Sequence, residues 1–479
     1  MTKSKKILTE TFKIDNFRSS QEEIIENVMN GKNCLILMPT GMGKSLCYQL
    51  PALLLDGLTV VISPLIALMK DQTDNLKKLG IDAAYLNSSL SKSEREKCIN
   101  DIINNKYKIL FVSPERFRNE SFLEAIQKVD VSLLAIDEAH CSSQWGNDFR
   151  PDYSRLKEFR EIVKNPVTVA LTATATKIVQ DDIIDKLGFS SDEILVFNEG
   201  INRPNLNLSV IDVIDYNEKY ETILKLIEKH EGSKIIYFSL IKSLEAFSQF
   251  LNEKKISHSF YHGKMSAEKR KAIQKNFMNH RSPLMLATNA FGMGIDKADI
   301  RLIIHAEIPD SPEAYYQEIG RAGRDQKPSF AYLLYDEADL AVQLDFLNWR
   351  NPDVKFIKTA YNVMKNMGES LQSYTYEDLQ EKVVYKNRGD HRLQTVLNLF
   401  DRYSVSTGKI EMGTLKIESE LPDEIMSNNY YEAKLKSGQQ RLYEMLQYVK
   451  TDNCRKKQIH QYFDISANDC DNCDNCLSK

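Results

Sequence analysis

Along the first two-thirds of the chain, short unbroken apolar runs alternate with stretches of helical spacing. Asn33–Met38, Thr59–Ile62, Ile109–Val112, Leu133–Ile136 and Val167–Leu171 are runs of this kind. A strand with one wet face alternates apolar and polar residues, whereas a run without alternation fits a strand covered on both faces, as in a parallel sheet. Strands alternating with helices therefore predict an α/β fold. The pattern dissolves near Asn198, where N-E-G-I-N-R-P-N-L-N-L reads as a linker. It resumes with Lys234–Phe238, a helix over Ser243–Leu251, and strands at Ser257–Tyr261, Leu284–Thr288 and Leu302–His305, which predict a second parallel sheet.

After Leu344 come amphipathic helical segments, among them F-I-K-T-A-Y-N-V-M and H-R-L-Q-T-V-L-N-L-F-D-R-Y, then two strand-like pieces, K-I-E-M and L-K-I-E. Helices followed by a small hairpin suggest a winged-helix-like module or a plain helical spacer. A basic helix begins near Tyr430 and leads to a group of cysteines. The expected domains are 1–200, 201–345, 346–428 and 429–479.

A chain of 479 residues exceeds what one hydrophobic core supports, in keeping with several domains. Its net charge of −4 neither advertises nor excludes a nucleic-acid partner, because a basic track can sit within a neutral average. The N-terminal M-T-K-S-K-K has no apolar signal core, and no apolar run approaches the ~20 residues that span a bilayer. A cytoplasmic protein with reduced thiols and no membrane partner is expected.

Candidate chemistry concentrates at the ends of the predicted strands, where α/β sheets present ligands. Behind the first strand stands P-T-G-M-G-K-S, Pro39 to Ser45, and then a helix. These are the parts of a phosphate cradle: the backbone N–H groups of Thr40, Gly41, Met42 and Gly43 surround phosphate, Lys44 neutralises it and Ser45 ligates magnesium. Met38 stands where the longer G-x-x-x-x-G-K-[ST] pattern has its first glycine, so only the shorter form is met. Leu133–Ile136 runs into Asp137 and Glu138, one carboxylate placed to hold magnesium and the other to orient a water. Val167–Leu171 ends in T-A-T-A-T, whose hydroxyls are expected to reach across a cleft to those carboxylates, unless they form an ordinary hydroxyl turn. Ser-Pro turns after Ile62 and Val112 suggest loops on one sheet edge that offer hydroxyls to phosphates.

Trp145, Phe149 and Arg150 lie in a polar segment containing Gly146, a poor core element and a good stacking platform for bases. In the second half, Y-Y-Q-E-I-G-R-A-G-R-D places Gln317, Arg321 and Arg324 on one face if the segment is helical. Set against an ATP held by the first half, the arginines become fingers that stabilise charge on the transferred phosphoryl group; alone they would be a solvated helix face. Of the eight cysteines, Cys454, Cys470, Cys473 and Cys476 look arranged. Four thiolates in a reducing compartment suit tetrahedral zinc, with an iron–sulfur cluster as a minor alternative.

Lys44-Ser45, D-E-A-H at Asp137 to His140 and T-A-T-A-T from Thr172 together resemble a superfamily-two helicase motor. The continuation C-S-S-Q-W-G-N-D-F-R-P resembles the aromatic-rich loop of RecQ DNA helicases, as do A-T-N-A-F-G-M-G-I-D from Ala287, the segment from Tyr315 and the terminal cysteine pattern. The resemblance covers roughly Phe12 to Tyr335 and implies two RecA-like parallel-sheet domains in tandem, followed by a mostly helical C-terminal region with a zinc-binding subdomain. It further implies an ATP-dependent DNA helicase moving 3′ to 5′ on single-stranded DNA and unwinding duplex in repair and recombination, with ATP, magnesium and zinc as its ligands. Gln144, Trp145, Phe149 and Arg150 are then DNA contacts, Arg18 and Gln21 clasp adenine, and Asp296 joins the nucleotide site. The implied partners are single-stranded and tailed duplex DNA, with a single-stranded-DNA-binding protein as a further candidate and a monomeric state. Rival readings are a DNA-stimulated translocase with weak unwinding, an RNA helicase of the same superfamily, and a non-enzymatic DNA-binding scaffold.

Two features depart from the family pattern. Ile14 stands where RecQ proteins commonly place an aromatic residue on adenine, leaving Arg18 and Gln21 to hold the base. A long interval separates Arg324 from Cys454, and no winged helix is expected after the cysteines, so the inserted region is a candidate replacement.

Overall fold

The computed structural model describes residues 2–39, 41–143, 151–292, 295, 297–384 and 390–478. Thr40, Gln144, Trp145, Phe149, Arg150 and Asp296, all named above as candidate site residues, lie outside the described residues.

The first half forms a seven-stranded sheet from β1 (Asn33–Leu37), β2 (Leu58–Ile62), β3 (Ala83–Leu86), β4 (Ile109–Val112), β5 (Val131–Ile136), β6 (Val167–Thr172) and β7 (Ile194–Asn198). The spatial order is β3-β4-β2-β5-β6-β1-β7, and every pairing is parallel. Successive residues of each strand enter opposite cores: Leu35, Val60, Ile62, Leu134 and Ile136 belong to one, and Cys34, Ile36, Val61, Leu133 and Ala135 to the other. Helices cover both faces, which is why these strands read as unbroken apolar runs.

Register sets the functional edge. Leu37 lies opposite Thr172, and Ile136 opposite Ala170, so the phosphate loop, the D-E-A-H turn and the T-A-T-A-T turn leave adjacent strands at the same end. β2 and β4 pair with Ile62 opposite Val112, which brings both Ser-Pro turns to that edge as well.

The second sheet contains β8 (Leu206–Asp212), β9 (Ser233–Tyr237), β10 (Ser259–Tyr261), β11 (Leu284–Ala287), β12 (Ile300–His305) and β13 (Ser329–Tyr335) in the order β10-β11-β9-β12-β13-β8, again all parallel. The N-R-P-N-L segment leads directly into β8, which pairs with β13 from Leu206 opposite Ser329 to Asp212 opposite Tyr335. Between β12 and β13, the helix Pro312–Ile319 is shorter than the spacing argument requires. The helix stops at Ile319 and the chain continues in turns, with Gly323 in left-handed backbone at φ 57°, so Arg321 and Arg324 lie beyond the helix and do not share a helical face with Gln317.

Residues 1–307, 312–335 and 448–479 form one compact unit, and residues 308–311 and 336–447 a second. The second unit is helical around a core that includes Ile357, Ala360, Leu379, Leu393, Val396 and Phe400. Its hairpin is small: β14 (Ser406–Thr407) pairs antiparallel with β15 (Lys416–Ile417). K-I-E-M, expected as a strand, forms a 3-10 turn over Ile410–Met412, because Gly408 and Gly413 take left-handed backbone on either side of it. Among the described residues no helix is long and apolar enough to cross a membrane.

Candidate active site and zinc centre

The phosphate loop is shaped by Gly41 and Gly43, whose φ angles of +85° and +84° are costly for any residue with a side chain. The loop is held from outside by the segment before the helix Gln21–Met29. The Gln21 side-chain amide donates to the carbonyls of Met42 at 2.9 Å and Gly43 at 3.1 Å, and the Arg18 guanidinium donates to the Gly41 carbonyl at 3.2 Å. Gln21 also accepts from the Arg18 backbone N–H at 2.8 Å, so the two residues form one clasp around the loop. Glu199, just past β7, caps the same helix by accepting from the Ser20 N–H at 3.3 Å and from the Ser19 hydroxyl.

Lys44 points its ammonium into the site, where Nζ is buried without a hydrogen-bond partner among the described residues. A buried ammonium without hydrogen bonds is costly until an anion supplies them, which is the condition expected of a phosphate receptor. Its charge is felt by Asp137, whose pKa is nevertheless pushed up to about 7, first by burial and then by the adjacent Glu138 carboxylate. Two carboxyls crowded at a strand end suit a divalent cation, so Ser45 and Asp137 fit the magnesium role. Glu138 stands in left-handed backbone at φ 49° and lies 3.4 Å from His140 Nδ1. That histidine nitrogen is also 2.9 Å from the Thr172 hydroxyl. The Thr172 hydroxyl donates to the Thr174 carbonyl at 3.0 Å, the ordinary hydroxyl turn named above as the alternative, and it meets the histidine of D-E-A-H and not the carboxylates, linking β6 to the turn after β5.

The expected DNA-contact segment is anchored at both borders. On one side it follows the 3-10 turn Ala139–Ser142, and on the other the Tyr153 hydroxyl donates to the Asp137 carbonyl at 3.1 Å.

From the second sheet, Arg324 reaches the phosphate loop: a Cβ placed on Gly41 would lie 3.2 Å from Arg324 Cγ. Arg321 is buried within its own lobe, where its guanidinium donates to the Gly292 carbonyl. Gln317 is half-buried in the preceding helix. The structure therefore brings Arg18, Gln21, Gly41, Met42, Gly43, Lys44, Ser45, Asp137, Glu138 and Arg324 together, and holds Arg321 one step back.

At the C-terminus, the sulfurs of Cys454, Cys470, Cys473 and Cys476 all lie within 4.8 Å of one another. The Cys470 N–H donates to Cys454 Sγ at 3.3 Å and the Arg455 N–H to Cys473 Sγ at 3.4 Å. Burial raises the Cys454 thiol and lifts that of Cys473 to about 12, a cost that ionisation onto a metal removes. The donor set fits zinc. Arg455 braces the knuckle, bonding Asp474 at 2.9 Å and the carbonyls of Tyr448 at 2.7 Å and Val449 at 3.0 Å.

Two parallel-sheet lobes, with a phosphate loop on one and an arginine from the other lying against it, define a superfamily-two helicase motor. The chain matches the DEAD/DEAH box helicase model over residues 18–182, the helicase conserved C-terminal domain over 218–326 and the RecQ zinc-binding model over 418–477. It is 35% identical over 468 residues to the probable ATP-dependent DNA helicase RecS of Bacillus subtilis, covering 97% of this chain and 89% of that relative. It is 42% identical over 343 residues to the ATP-dependent DNA helicase RecQ of the same organism, covering 71% of this chain but only 57% of the relative. Among solved structures, the DUF1998 helicase MrfA bound to DNA aligns with a TM-score of 0.59 at 16% identity, over 88% of this chain and 63% of that one, a likeness of fold. The chain belongs to the RecQ family of ATP-dependent DNA helicases.

Proposed function

We propose that this chain hydrolyses ATP between its two lobes and uses closure of that cleft to move 3′ to 5′ along single-stranded DNA, opening tailed duplexes. The observation that carries the reading is the convergence of Lys44, Asp137 and Arg324 on one phosphate loop from three separate elements. The loop N–H groups and Lys44 hold the phosphates, while Arg18 and Gln21, which fix the loop, are assigned to the adenine end of the nucleotide. Ser45 and Asp137 would hold a magnesium ion, which would supply charge neutralisation at the phosphates. Glu138 orients the attacking water and accepts its proton. Arg324, supported by Arg321 and Gln317, offsets charge on the transferred group, a contribution of ~10³ or more in rate for residues of this type. Asp296 is assigned to the same nucleotide site.

Gln144, Trp145, Phe149 and Arg150 are assigned to the DNA. Their segment is tied at both borders to the D-E-A-H turn, so base stacking there bears on Glu138. Cys454, Cys470, Cys473 and Cys476 are assigned to one structural zinc. The proposed setting is cytoplasmic DNA repair and recombination by a monomer, with a single-stranded-DNA-binding protein as partner. The helical insert over 346–428 is proposed to take the place of a winged helix.

The test is ATP turnover with and without single-stranded DNA. Turnover should rise on DNA and disappear in Lys44→Ala and Glu138→Gln. Turnover indifferent to nucleic acid, or retained in Glu138→Gln, rules the proposal out.

A further inference from the structure

The N-R-P-N-L segment, which reads in sequence as a linker, is a strut between the arginine-bearing turn and the zinc module. The Arg203 guanidinium donates to three carbonyls of that turn, Gly320 at 3.1 Å, Ala322 at 2.5 Å and Gly323 at 3.0 Å. Asn205 adds bonds from its side-chain amide to Gly323 at 2.8 Å and Lys327 at 2.9 Å, and the Tyr316 hydroxyl donates to the Ile201 carbonyl at 2.7 Å. The backbone of the strut is held from the other side. Lys456 Nζ donates to the Arg203 carbonyl at 2.9 Å, and the Asn472 side chain to the Pro204 carbonyl at 2.8 Å. Both residues belong to the cysteine module, Lys456 two positions after Cys454 and Asn472 beside Cys473.

Three carbonyls pointing at one planar cation fix the path of the chain from Gly320 to Gly323, and that path aims the next residue, Arg324, at Gly41. A guanidinium suits this task because its donors diverge in one plane, whereas an ammonium has no fixed fork. We propose that Arg203 is a positioning residue for Arg324, and that the zinc module supports ATP hydrolysis by holding Arg203 through Lys456 and Asn472. The role rests on the assignment of Arg324 to the transferred phosphoryl group.

Among the described residues the hydrogen bonds of Arg203, Pro204 and Asn205 run to the arginine-bearing turn and the cysteine module, not to the phosphate loop or the Arg18–Gln21 clasp, so loss of the strut should appear in kcat and not in ATP binding. The experiment measures DNA-stimulated kcat and KM for ATP in the full chain carrying Arg203→Ala, Arg203→Lys, Arg324→Ala and the double alanine variant, with zinc content and thermal melting alongside. Misplacing a reacting group by an ångström costs ~10²-fold, so Arg203→Ala should lower kcat by about 10–100-fold with KM changed less than about twofold. Arg203→Lys should recover part of the loss, and the double variant should be no slower than Arg324→Ala alone, because both substitutions remove one interaction. Asn205→Ala, which takes away a tie to Gly323 while leaving Arg203, should show the same split on a smaller scale, including where Arg203→Ala fails to fold. A kcat within twofold of the parent in both Arg203→Ala and Asn205→Ala, or losses that multiply in the double variant, overturns the proposal. An unchanged kcat in Arg324→Ala overturns the assignment of Arg324 itself, and with it the strut's role.

Discussion

Magnesium binding should report directly on Asp137. Its carboxyl ordinarily titrates at 3.8, and in the folded, cation-free protein burial and Glu138 move it to about 7. Between those values the folded chain holds a proton that the unfolded chain has lost, so the contribution of this group to stability falls as pH rises and is least favourable above pH 7. The full difference corresponds to at most about 4 kcal/mol, and the residual solvent access of Asp137 at the strand end reduces it. A cation must displace that proton below pH 7 and need not above it. Magnesium affinity measured without nucleotide should therefore weaken by about tenfold for each pH unit below 7 and level off above. Calorimetry in two buffers of different ionisation enthalpy should detect about one proton released on binding at pH 6 and almost none at pH 8.5. Glu138→Gln removes the second cause of the shift and should move the break to lower pH. Magnesium affinity that is flat from pH 5.5 to 8.5, or a break unmoved in Glu138→Gln, refutes the reasoning.

Three further outcomes are expected. Trp145→Ala should leave basal ATP hydrolysis nearly intact while abolishing stimulation by single-stranded DNA; surviving stimulation separates the aromatic segment from the catalytic turn. The purified protein should carry one zinc per chain by elemental analysis, lost together with thermal stability in Cys473→Ser, and a zinc-free parent whose melting is unchanged in that variant removes the metal assignment. In the second unit, burial and then the cations of Arg402, Arg441 and Arg350 hold Lys434 down at about 8, against 10.5 for an ordinary lysine. The unfolded chain keeps that proton longer, so stability rises from pH 8 to 10.5, and Lys434→Met at pH 7 should raise the melting temperature of this unit by the equivalent of up to ~3 kcal/mol; an unchanged melt contradicts the electrostatic cause.

Much of the motor was legible because its signals are local. Strands covered on both faces have to be continuously apolar, and a loop built on left-handed Gly41 and Gly43 before Lys44 leaves few alternatives for the backbone. What the sequence hid is tertiary. The spacing of Gln317, Arg321 and Arg324 suggested a helical face, yet the helix stops at Ile319 and the arginines are aimed by turns. Arg203 and Asn205 carry turn chemistry that reads as a linker, and only the neighbouring chain shows that their side chains hold carbonyls more than a hundred positions away. Thr172 and His140 each satisfy their local pattern, and nothing in either pattern announces that they meet.

The most direct test of the account is strand displacement on 3′-tailed and 5′-tailed DNA and RNA duplexes, with ATP turnover followed in the same samples. ATP-dependent opening of the 3′-tailed DNA duplex is expected, with little on the 5′-tailed one and none in Glu138→Gln. Opening of RNA but not DNA contradicts the proposed substrate, and turnover on DNA without any opening reduces the protein to a translocase.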